Sequence, residues 1–218
     1  MKPKRIILVR HGESEANVDP TVYARMPDCR IPLTENGLEQ ACAAGRKIAG
    51  MIGEEAFGVF VSPYLRTLQT KDALLEGLRR TPTFVYQDPE LREQEYGNMP
   101  PPEVHDANRA RRKKVGYFFY RFPDGESCAD VYDRMALFWD SLYRRFSRRN
   151  CPENLLVVSH GTAIKCFLAR WYHWDIDYFE TLGQLPNCHI SVMVAESRRS
   201  ATGKFVLQEP FAEVKYFQ

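Results

Sequence analysis

The stretch ILVRHGES, residues 7–14, joins an apolar run to an arginine and a histidine. The run over residues 5–9 predicts a strand that is buried on both faces, as is typical of a parallel sheet covered by helices. Arg10 and His11 add nothing to a hydrophobic core. Their position at the end of this strand indicates a site that needs positive charge and a nitrogen with an available lone pair.

Strands and helices alternate along the rest of the chain. Apolar runs predict further strands at residues 57–61, 83–86, 154–159, 188–195 and 203–208, and apolar periodicity and start signals predict helices at 34–50, at 63–78 and after residues 127 and 161. The helix at 63–78 is predicted to have Ser62 at its N-cap and Pro63 at its first position. This alternation predicts an α/β fold, a three-layer α/β/α sandwich with a mostly parallel central sheet.

One domain is predicted over residues 1–218, because no segment rich in Pro, Gly and Ser separates two halves. Within it, residues 97–124 are predicted to form an irregular, lid-like insertion, since they contain three consecutive prolines and a basic run. Ser127 and Asp130 then resemble a capping box, which predicts that a helix begins there.

The composition excludes several classes of protein. Of the 218 residues, 44% are hydrophobic and 12% aromatic, which is ample for a packed core, and the net charge of +2 produces no field typical of a nucleic-acid binder. No apolar stretch is long enough to span a membrane, and the N-terminal residues do not form a secretory signal. The six cysteines lack C-x-x-C spacing, so we expect free thiols in a reducing, cytoplasmic compartment and no metal site.

Three of the predicted strands end in polar residues of related chemistry: Arg10-His11-Gly12, Ser62-Pro63-x-x-Arg66 and Ser159-His160-Gly161. Sites in open α/β sheets lie beyond the carboxyl ends of the strands, so we expect two arginines and two histidines to meet at one edge. Guanidinium groups bind the oxygens of a phosphate dianion in a forked geometry. A neutral histidine beside them can attack phosphorus and carry the phosphoryl group, and the motifs leave open which of the two histidines does so.

Glu93 follows the predicted strand at 83–86, within the sequence Leu91-Arg92-Glu93. A carboxylic acid can protonate a leaving alkoxide, and the resulting carboxylate can then activate water. Each of these motifs alone has an ordinary explanation, such as a helix start or a hydrogen-bonded core histidine. Their combination at strand ends favours a phosphoryl-transfer site.

The order R-H-G-E-S, S-P-x-x-R-x-x-Q-T, L-R-E and S-H-G closely resembles the histidine phosphatase superfamily and its phosphoglycerate-mutase-like fold, over residues 6–195. The resemblance implies a phosphohistidine intermediate without a metal ion or another cofactor. It implies that His11 accepts the phosphoryl group and that Glu93 donates the proton. By the same resemblance, the phosphate-binding residues are Arg10, Asn17, Arg66, His160, Gly161 and Thr162.

Glycolytic mutases of this superfamily carry W-N after R-H-G-E-S and E-R-H-Y-G around the acid, whereas this chain has Ala16-Asn17 and the sequence EQEYG at residues 93–97. A carboxylate at Glu95 disfavours a phosphoglycerate by repulsion between like charges. The expected function is therefore that of the phosphatase-like branch, hydrolysis of a small phosphorylated metabolite. The alternatives are a phosphoglycerate mutase and an inactive phosphate-binding scaffold, although a scaffold needs neither a nucleophile nor an acid.

The basic run over residues 108–114 is expected to be either plain surface or part of a lid that attracts anionic substrates. Residues 23–28 and 118–127 resemble a subgroup of the superfamily's phosphatase-like proteins. The candidates for substrate specificity are Tyr23, Arg25, Arg30, Tyr96, Arg111 and Arg112. Nucleic-acid binding through the basic run is a weaker alternative, because no matching basic face or aromatic ladder accompanies it. The expected partner is a small phosphorylated substrate, not nucleic acid or a membrane.

Overall fold

The structure, a computed structural model, describes residues 2–196 and 204–208. The strands of the central sheet are β1 (Arg5–Arg10), β2 (Phe57–Val61), β3 (Val85–Gln87), β4 (Asn154–Ser159), β5 (Ile190–Ala195) and β6 (Phe205–Gln208). The α-helices of the described residues are α1 (Glu15–Val18), α2 (Glu35–Ile52), α3 (Leu65–Leu78), α4 (Pro102–Val115), α5 (Cys128–Phe146), α6 (Gly161–Tyr172) and α7 (Ile176–Thr181).

The sheet has the strand order β3-β2-β4-β1-β5-β6. The strands β1 to β4 run parallel to one another, β5 runs antiparallel to β1, and β6 runs antiparallel to β5. The predicted α/β fold with a mostly parallel sheet is therefore confirmed, with an antiparallel strand beside β1.

Successive residues of β1 belong to two different cores, because the side chains of a strand alternate between its faces. Ile6 and Leu8 pack in one cluster with residues of α5 and α6. Ile7 and Val9 pack in a second cluster with residues of α2 and α3. Burial on both faces explains why this strand is a continuous apolar run, and it places helices on both sides of the sheet.

Two helix starts follow the predicted capping chemistry. The Oγ atom of Thr34 accepts a hydrogen bond of 3.0 Å from the N–H of Gly37, which caps α2. At α5, the N–H of Asp130 donates to Ser127 Oγ at 3.2 Å and the N–H of Ser127 donates to Asp130 Oδ2 at 2.7 Å. The capping box at Ser127 is thus confirmed.

The predicted start of α3 is wrong by two residues. The helix begins at Leu65, and its N-cap is Tyr64, which makes no side-chain capping bond. The Oγ atom of Ser62 lies instead 2.8 Å from Nε2 of His160. Ser62 therefore contacts His160, which follows the neighbouring strand β4. The serine that the sequence indicated as an N-cap takes part in a tertiary contact.

The prediction that residues 97–124 are irregular is also wrong, since α4 occupies half of this insertion. Pro102 stands at the first helical position, where the absence of an N–H costs nothing, and Gly116 ends the helix with a φ of 108°. The prolines therefore precede and begin the helix α4, whereas a run of prolines in the sequence indicates an irregular segment. The basic run lies on α4.

Smaller differences occur elsewhere. The strand predicted at 83–86 is found at Val85–Gln87, and the helix α7, which the sequence did not predict, follows α6. The last strand is Phe205–Gln208, and residue 203 of its predicted range lies outside the described residues.

Strand register brings the predicted polar residues to one edge of the sheet. Arg10 at the end of β1 pairs with Ser159 at the end of β4, and Val61 of β2 pairs with Val158 of β4. The residues that follow these strands therefore emerge together, with β4 in the middle.

Helix α2 lies against the turn that follows His11. A Cβ atom added to Gly37 would stand 2.1 Å from the carbonyl oxygen of Glu13, and one added to Gly12 would stand 2.4 Å from the carbonyl oxygen of Gly37. Only two glycines allow the two backbones to approach so closely.

We therefore expect Gly37→Ala to lower the free energy of unfolding by about 1–3 kcal/mol, because backbone must move to admit the methyl group. The matched control is Gly50→Ala in the same helix, where an added Cβ meets nothing within 4 Å. It should raise stability by up to about 1 kcal/mol through helix propensity. Urea unfolding of both variants measures the difference. Equal effects would contradict the close approach.

Candidate active site

His11 lies directly after β1, and the residue is 4% exposed. Its Nδ1 atom lies 2.7 Å from the carbonyl oxygen of Gly12. Because a carbonyl oxygen only accepts, Nδ1 carries the proton and the lone pair is on Nε2. Burial, reinforced by Arg66 and Arg10, holds the pKa of His11 well below its ordinary value. The ring is thus neutral and presents a nucleophilic Nε2.

Arg66 is held in place by a carboxylate. Its Nη1 donates to Oδ1 of Asp28 at 2.7 Å and its Nη2 donates to Oδ2 at 3.3 Å, while the guanidinium carbon lies 5.0 Å from the centre of the Tyr64 ring. Burial alone would lower the pKa of Arg66, but Asp28, Tyr23 and Glu93 together outweigh burial and the pKa is raised. Arg66 is therefore a fixed positive charge.

His160 is fully buried behind His11, with its ring centre 5.3 Å from that of His11. Its Nε2 lies 2.8 Å from Ser62 Oγ. Burial, with Arg66 and His11, holds the pKa of His160 well below its ordinary value. When the Ser62 hydroxyl donates to Nε2, the proton of the neutral ring is on Nδ1.

Two buried nitrogen atoms at this site lack a hydrogen-bond partner within the described residues: Nε of Arg10 and Nδ1 of His160. The Nη1 atom of Arg10 donates to the carbonyl oxygen of Leu185, which fixes the guanidinium. Buried polar atoms are almost always hydrogen-bonded in proteins. Two such donors near one nucleophile indicate a site for an anionic ligand.

Glu93 is 8% exposed and lies at the N-terminus of α6. Its Oε1 accepts hydrogen bonds from the N–H groups of Gln94 at 2.9 Å and Ala163 at 3.2 Å, and its Oε2 accepts one from Thr162 at 3.3 Å. Burial raises the pKa of Glu93, although these N–H groups and Arg66 oppose the rise. The site therefore holds a carboxyl group that can exchange a proton at a fixed position.

A cavity of about 110 Å³ joins these groups. The predicted residues that line it are Arg10, His11, Asn17, Tyr23, Arg66, Glu93, Tyr96, Gly161 and Thr162. Of the other predicted catalytic residues, His160 contacts His11 from behind and does not line the cavity. The side chain of Asn17 accepts hydrogen bonds through Oδ1 from the N–H of Ser14 and from Nδ2 of Asn187, both at 3.0 Å.

Two arginines of the early loop, which were predicted to shape the pocket, do not line the cavity. Arg25 donates to Asp19 Oδ2 at 2.9 Å, and both side chains are exposed to solvent. Arg30 is also exposed. Asp28 of this loop is paired with Arg66 of α3. The loop therefore contributes a carboxylate that holds Arg66 in place, and not an arginine of its own.

Two specificity candidates of the basic run, Arg111 and Arg112, do not line the cavity either. Arg111 is exposed, and Arg112 lies 4.5 Å from the centre of the Tyr117 ring, where it contributes to packing. His105 and Arg109 line the cavity instead. These two residues are four positions apart and so share one face of α4, which is turned toward the site.

Sequence reasoning missed several residues of the site: Ser14, Asp28, Ser62, His105, Arg109 and Gln184. Three of them had a signal, since Ser14 ends R-H-G-E-S, Asp28 ends the stretch at 23–28 that resembles a phosphatase subgroup and Ser62 begins S-P-x-x-R. The helical spacing of His105 and Arg109 was hidden because residues 97–124 were predicted to be irregular.

The described residues contain no group of three His, Cys, Asp or Glu side chains that could hold a metal ion. All six cysteines are free thiols. Among residues 2–196 and 204–208, no helix has the length and apolarity needed to cross a lipid bilayer.

Residues 6–206 match the family model of the histidine phosphatase superfamily, branch 1. The chain belongs to this superfamily. The resemblance indicated by the sequence motifs is thereby confirmed, and it covers nearly the whole described structure.

Among relatives in sequence, the chain is 40% identical over 209 residues to the phosphoglycerate mutase-like protein AT74H of Arabidopsis thaliana, covering 88% of this chain and 74% of that protein. It is also 40% identical to the protein AT74 of the same plant, of which it covers 65%. The broad-range acid phosphatase DET1 of Saccharomyces cerevisiae is 26% identical over 285 residues, with 88% and 85% of the two chains covered. The chain thus spans about two thirds to three quarters of the two plant proteins.

Solved structures show the same fold. Mycobacterial glucosyl-3-phosphoglycerate phosphatase superposes with a TM-score of 0.73 at 23% identity, over 95% of this chain and 98% of that one. Bacillus stearothermophilus YhfR superposes with a TM-score of 0.70 at 25% identity, over 93% and 94% of the two chains.

The buried histidines predict a loss of stability in mild acid. Below pH 6.5 they protonate in the unfolded chain but stay neutral in the folded protein, so the unfolded state binds more protons and the free energy of unfolding falls as the pH falls. The slope is up to about 1.4 kcal/mol per pH unit for each histidine. Urea unfolding between pH 7.5 and 5.5 should show a smaller slope for His160→Asn than for the wild type. The exposed control His173→Asn should keep the wild-type slope, and an unchanged slope in His160→Asn would refute a neutral His160.

Proposed function

We propose that this protein hydrolyses small phosphomonoesters through a phosphohistidine formed on His11. The observation that carries the proposal is the neutral His11 ring, whose proton is held on Nδ1 by the Gly12 carbonyl, beside Arg10 and Arg66. An unprotonated Nε2 can attack phosphorus, and two guanidinium groups can hold the oxygens of the phosphoryl group.

In the first step, Nε2 of His11 forms a bond to phosphorus while the bond from phosphorus to the ester oxygen breaks. The electron pair of that bond stays on the leaving oxygen, which takes a proton from Glu93. The raised pKa of Glu93 suits this role, because the carboxyl group keeps its proton at a higher pH than an exposed glutamate does.

In the second step, water loses a proton to the Glu93 carboxylate and its oxygen bonds to phosphorus. The electron pair of the phosphorus–nitrogen bond returns to Nε2, and inorganic phosphate leaves. Arg10 and Arg66 stabilise the charge on the transferring oxygens, while Asn17, Gly161 and Thr162 border the same cavity.

The two alternative functions are a phosphoglycerate mutase and a scaffold that only binds phosphate. A mutase must bind a second acidic group on its substrate, and the chain has Gln94 and Glu95 where the glycolytic mutases have an arginine and a histidine. A scaffold that only binds phosphate has no use for a buried carboxyl group within the same cavity as a neutral histidine. Both observations favour the phosphatase.

The phosphohistidine is tested by mixing the enzyme with a ³²P-labelled phosphomonoester and quenching in acid or base. We expect a label on the wild type that is stable to base and labile to acid, because a phosphorus–nitrogen bond breaks in acid. His11→Ala should take up none, whereas the exposed control His173→Asn should be labelled like the wild type. Prior treatment with EDTA should change nothing, since the step uses only side chains. A labelled His11→Ala variant would refute the assignment.

The role of Glu93 is tested with two leaving groups of different acidity. Glu93→Gln should lower kcat on an alkyl phosphate by about 10²–10⁴-fold, because an alkoxide leaves poorly without a proton. The loss on 4-nitrophenyl phosphate should be much smaller, since nitrophenolate needs no proton. Glu103→Gln, an exposed change in the first turn of α4, is the control and should retain both activities. Equal losses on the two substrates would show that Glu93 is not the acid.

A further inference from the structure

A second, larger cavity adjoins the catalytic one. It has a volume of about 330 Å³ and shares three wall residues with the catalytic cavity: Tyr23, Tyr96 and His105. We call it the outer chamber. Its remaining lining residues are Pro27, Asp28, Cys29, Tyr64, Glu95, Gly97, Asn98, Met99 and Pro100.

Rings and apolar side chains dominate the walls of the outer chamber. The rings of Tyr23 and His105 are stacked, with centres 6.0 Å apart and 17° between their planes, and the Tyr96 ring meets His105 edge-on at 6.2 Å. Burial, with Arg109, lowers the pKa of His105, so this ring is neutral at physiological pH. Flat aromatic groups pack favourably against such walls.

The charge of the outer chamber is negative. None of its lining residues in the described chain is a lysine or an arginine. Of its two carboxylates, Asp28 is paired with Arg66. The backbone of Glu95 is fixed by Glu126, but the Glu95 side chain forms no hydrogen bond or ion pair within the described residues. Arg92 and Arg134, which do not line the chamber, offset this charge only in part, because burial, Asp28 and Glu126 outweigh them and raise the pKa of Glu95. A half-buried carboxylate with no cation beside it in the chamber lining therefore faces the chamber.

Besides Arg10 and Arg66, the cation Arg109 lines the catalytic cavity, but it does not line the outer chamber. A second phosphate or carboxylate on the substrate that entered the outer chamber would meet Glu95 with no lysine or arginine among the described lining residues. Repulsion between like charges is strong where water is partly excluded. A cationic group in the same place would be attracted.

We propose that the outer chamber binds the leaving group of the substrate. The rings of its walls select an aromatic leaving group. The carboxylate of Glu95 disfavours a negatively charged leaving group and favours a cationic one. This proposal rests on the proposed phosphatase function. The chamber's volume is at the lower end of the range for small-molecule sites, so it suits a single substituted ring.

Three aryl phosphates with similar leaving oxygens test the proposal: phenyl phosphate, 4-(2-aminoethyl)phenyl phosphate and 4-(carboxymethyl)phenyl phosphate. Their substituents are neutral, cationic and anionic. At pH 8 we expect kcat/KM for the cationic ester to exceed that for the anionic ester by about tenfold or more, mainly through KM, from one charge–charge contact near a protein surface. A ratio near one in the wild type would overturn the proposal.

Variants then assign the discrimination to Glu95. Glu95→Gln should reduce the ratio to about twofold or less, and Glu95→Asp should retain most of it, because the charge remains. The exposed control Glu103→Gln should keep the wild-type ratio. If Glu95→Gln keeps the full ratio, the discrimination has another source and the proposal is wrong.

Binding to His11→Ala separates the two proposals. This variant has no nucleophile, so calorimetry on it measures binding of the same three esters without turnover. A preference of about tenfold for binding the cationic ester over the anionic one would support the outer-chamber proposal. If the wild type hydrolysed none of the three esters, that failure would refute only the phosphatase function. Equal dissociation constants would refute the outer-chamber proposal alone.

Discussion

The parallel pairing of β4 with β1 on one side and β2 on the other is the constraint on which the site depends. It aligns the ends of three strands, so that Arg10, Ser62 and His160 emerge at one edge of the sheet. None of these side chains has to reach far, because each follows directly from a buried strand. The apolar interior therefore positions the polar site, and a shift of one residue in any of these registers would separate its parts.

The site also depends on a balance of charge in a small buried volume. Burial, reinforced by two guanidinium groups, keeps both histidines neutral, and Asp28 and Glu93 offset part of the positive charge. Without the arginines the nucleophile would be more readily protonated, and without Asp28 the buried Arg66 would lack a partner. The arrangement favours an anion over water, at the cost of two buried histidines that lower stability in mild acid.

The strand ends carry the residues to which we assign the phosphate chemistry, whereas the segments between the strands shape the space around them. α4, the loop at residues 20–30 and the segment after Glu93 form the walls of both cavities. Relatives named as a mutase-like protein and as an acid phosphatase share the superfamily with this chain, so the fold alone does not select a substrate. For this protein we infer that the selection comes from the rings and the carboxylate that line the outer chamber.

The sequence by itself determined the α/β fold, the approximate limits of the strands and of the helices α2 and α3, and the identity of the residues that meet at the sheet edge. It could do so because a strand buried on both faces must be continuously apolar, and because arginine and histidine at its end are too costly to bury without a function. Only the tertiary structure decided which neighbours complete the site. The sequence indicated Ser62 as an N-cap, whereas the fold places it beside His160 at the end of a neighbouring strand. Asp28 is paired with Arg66, which is 38 positions away in the chain. On α4, Arg109 faces the cavity while Arg111 faces solvent. A run of like charges in the sequence does not distinguish the two arginines, because the packing of the helix against the rest of the protein sets which face is turned inward.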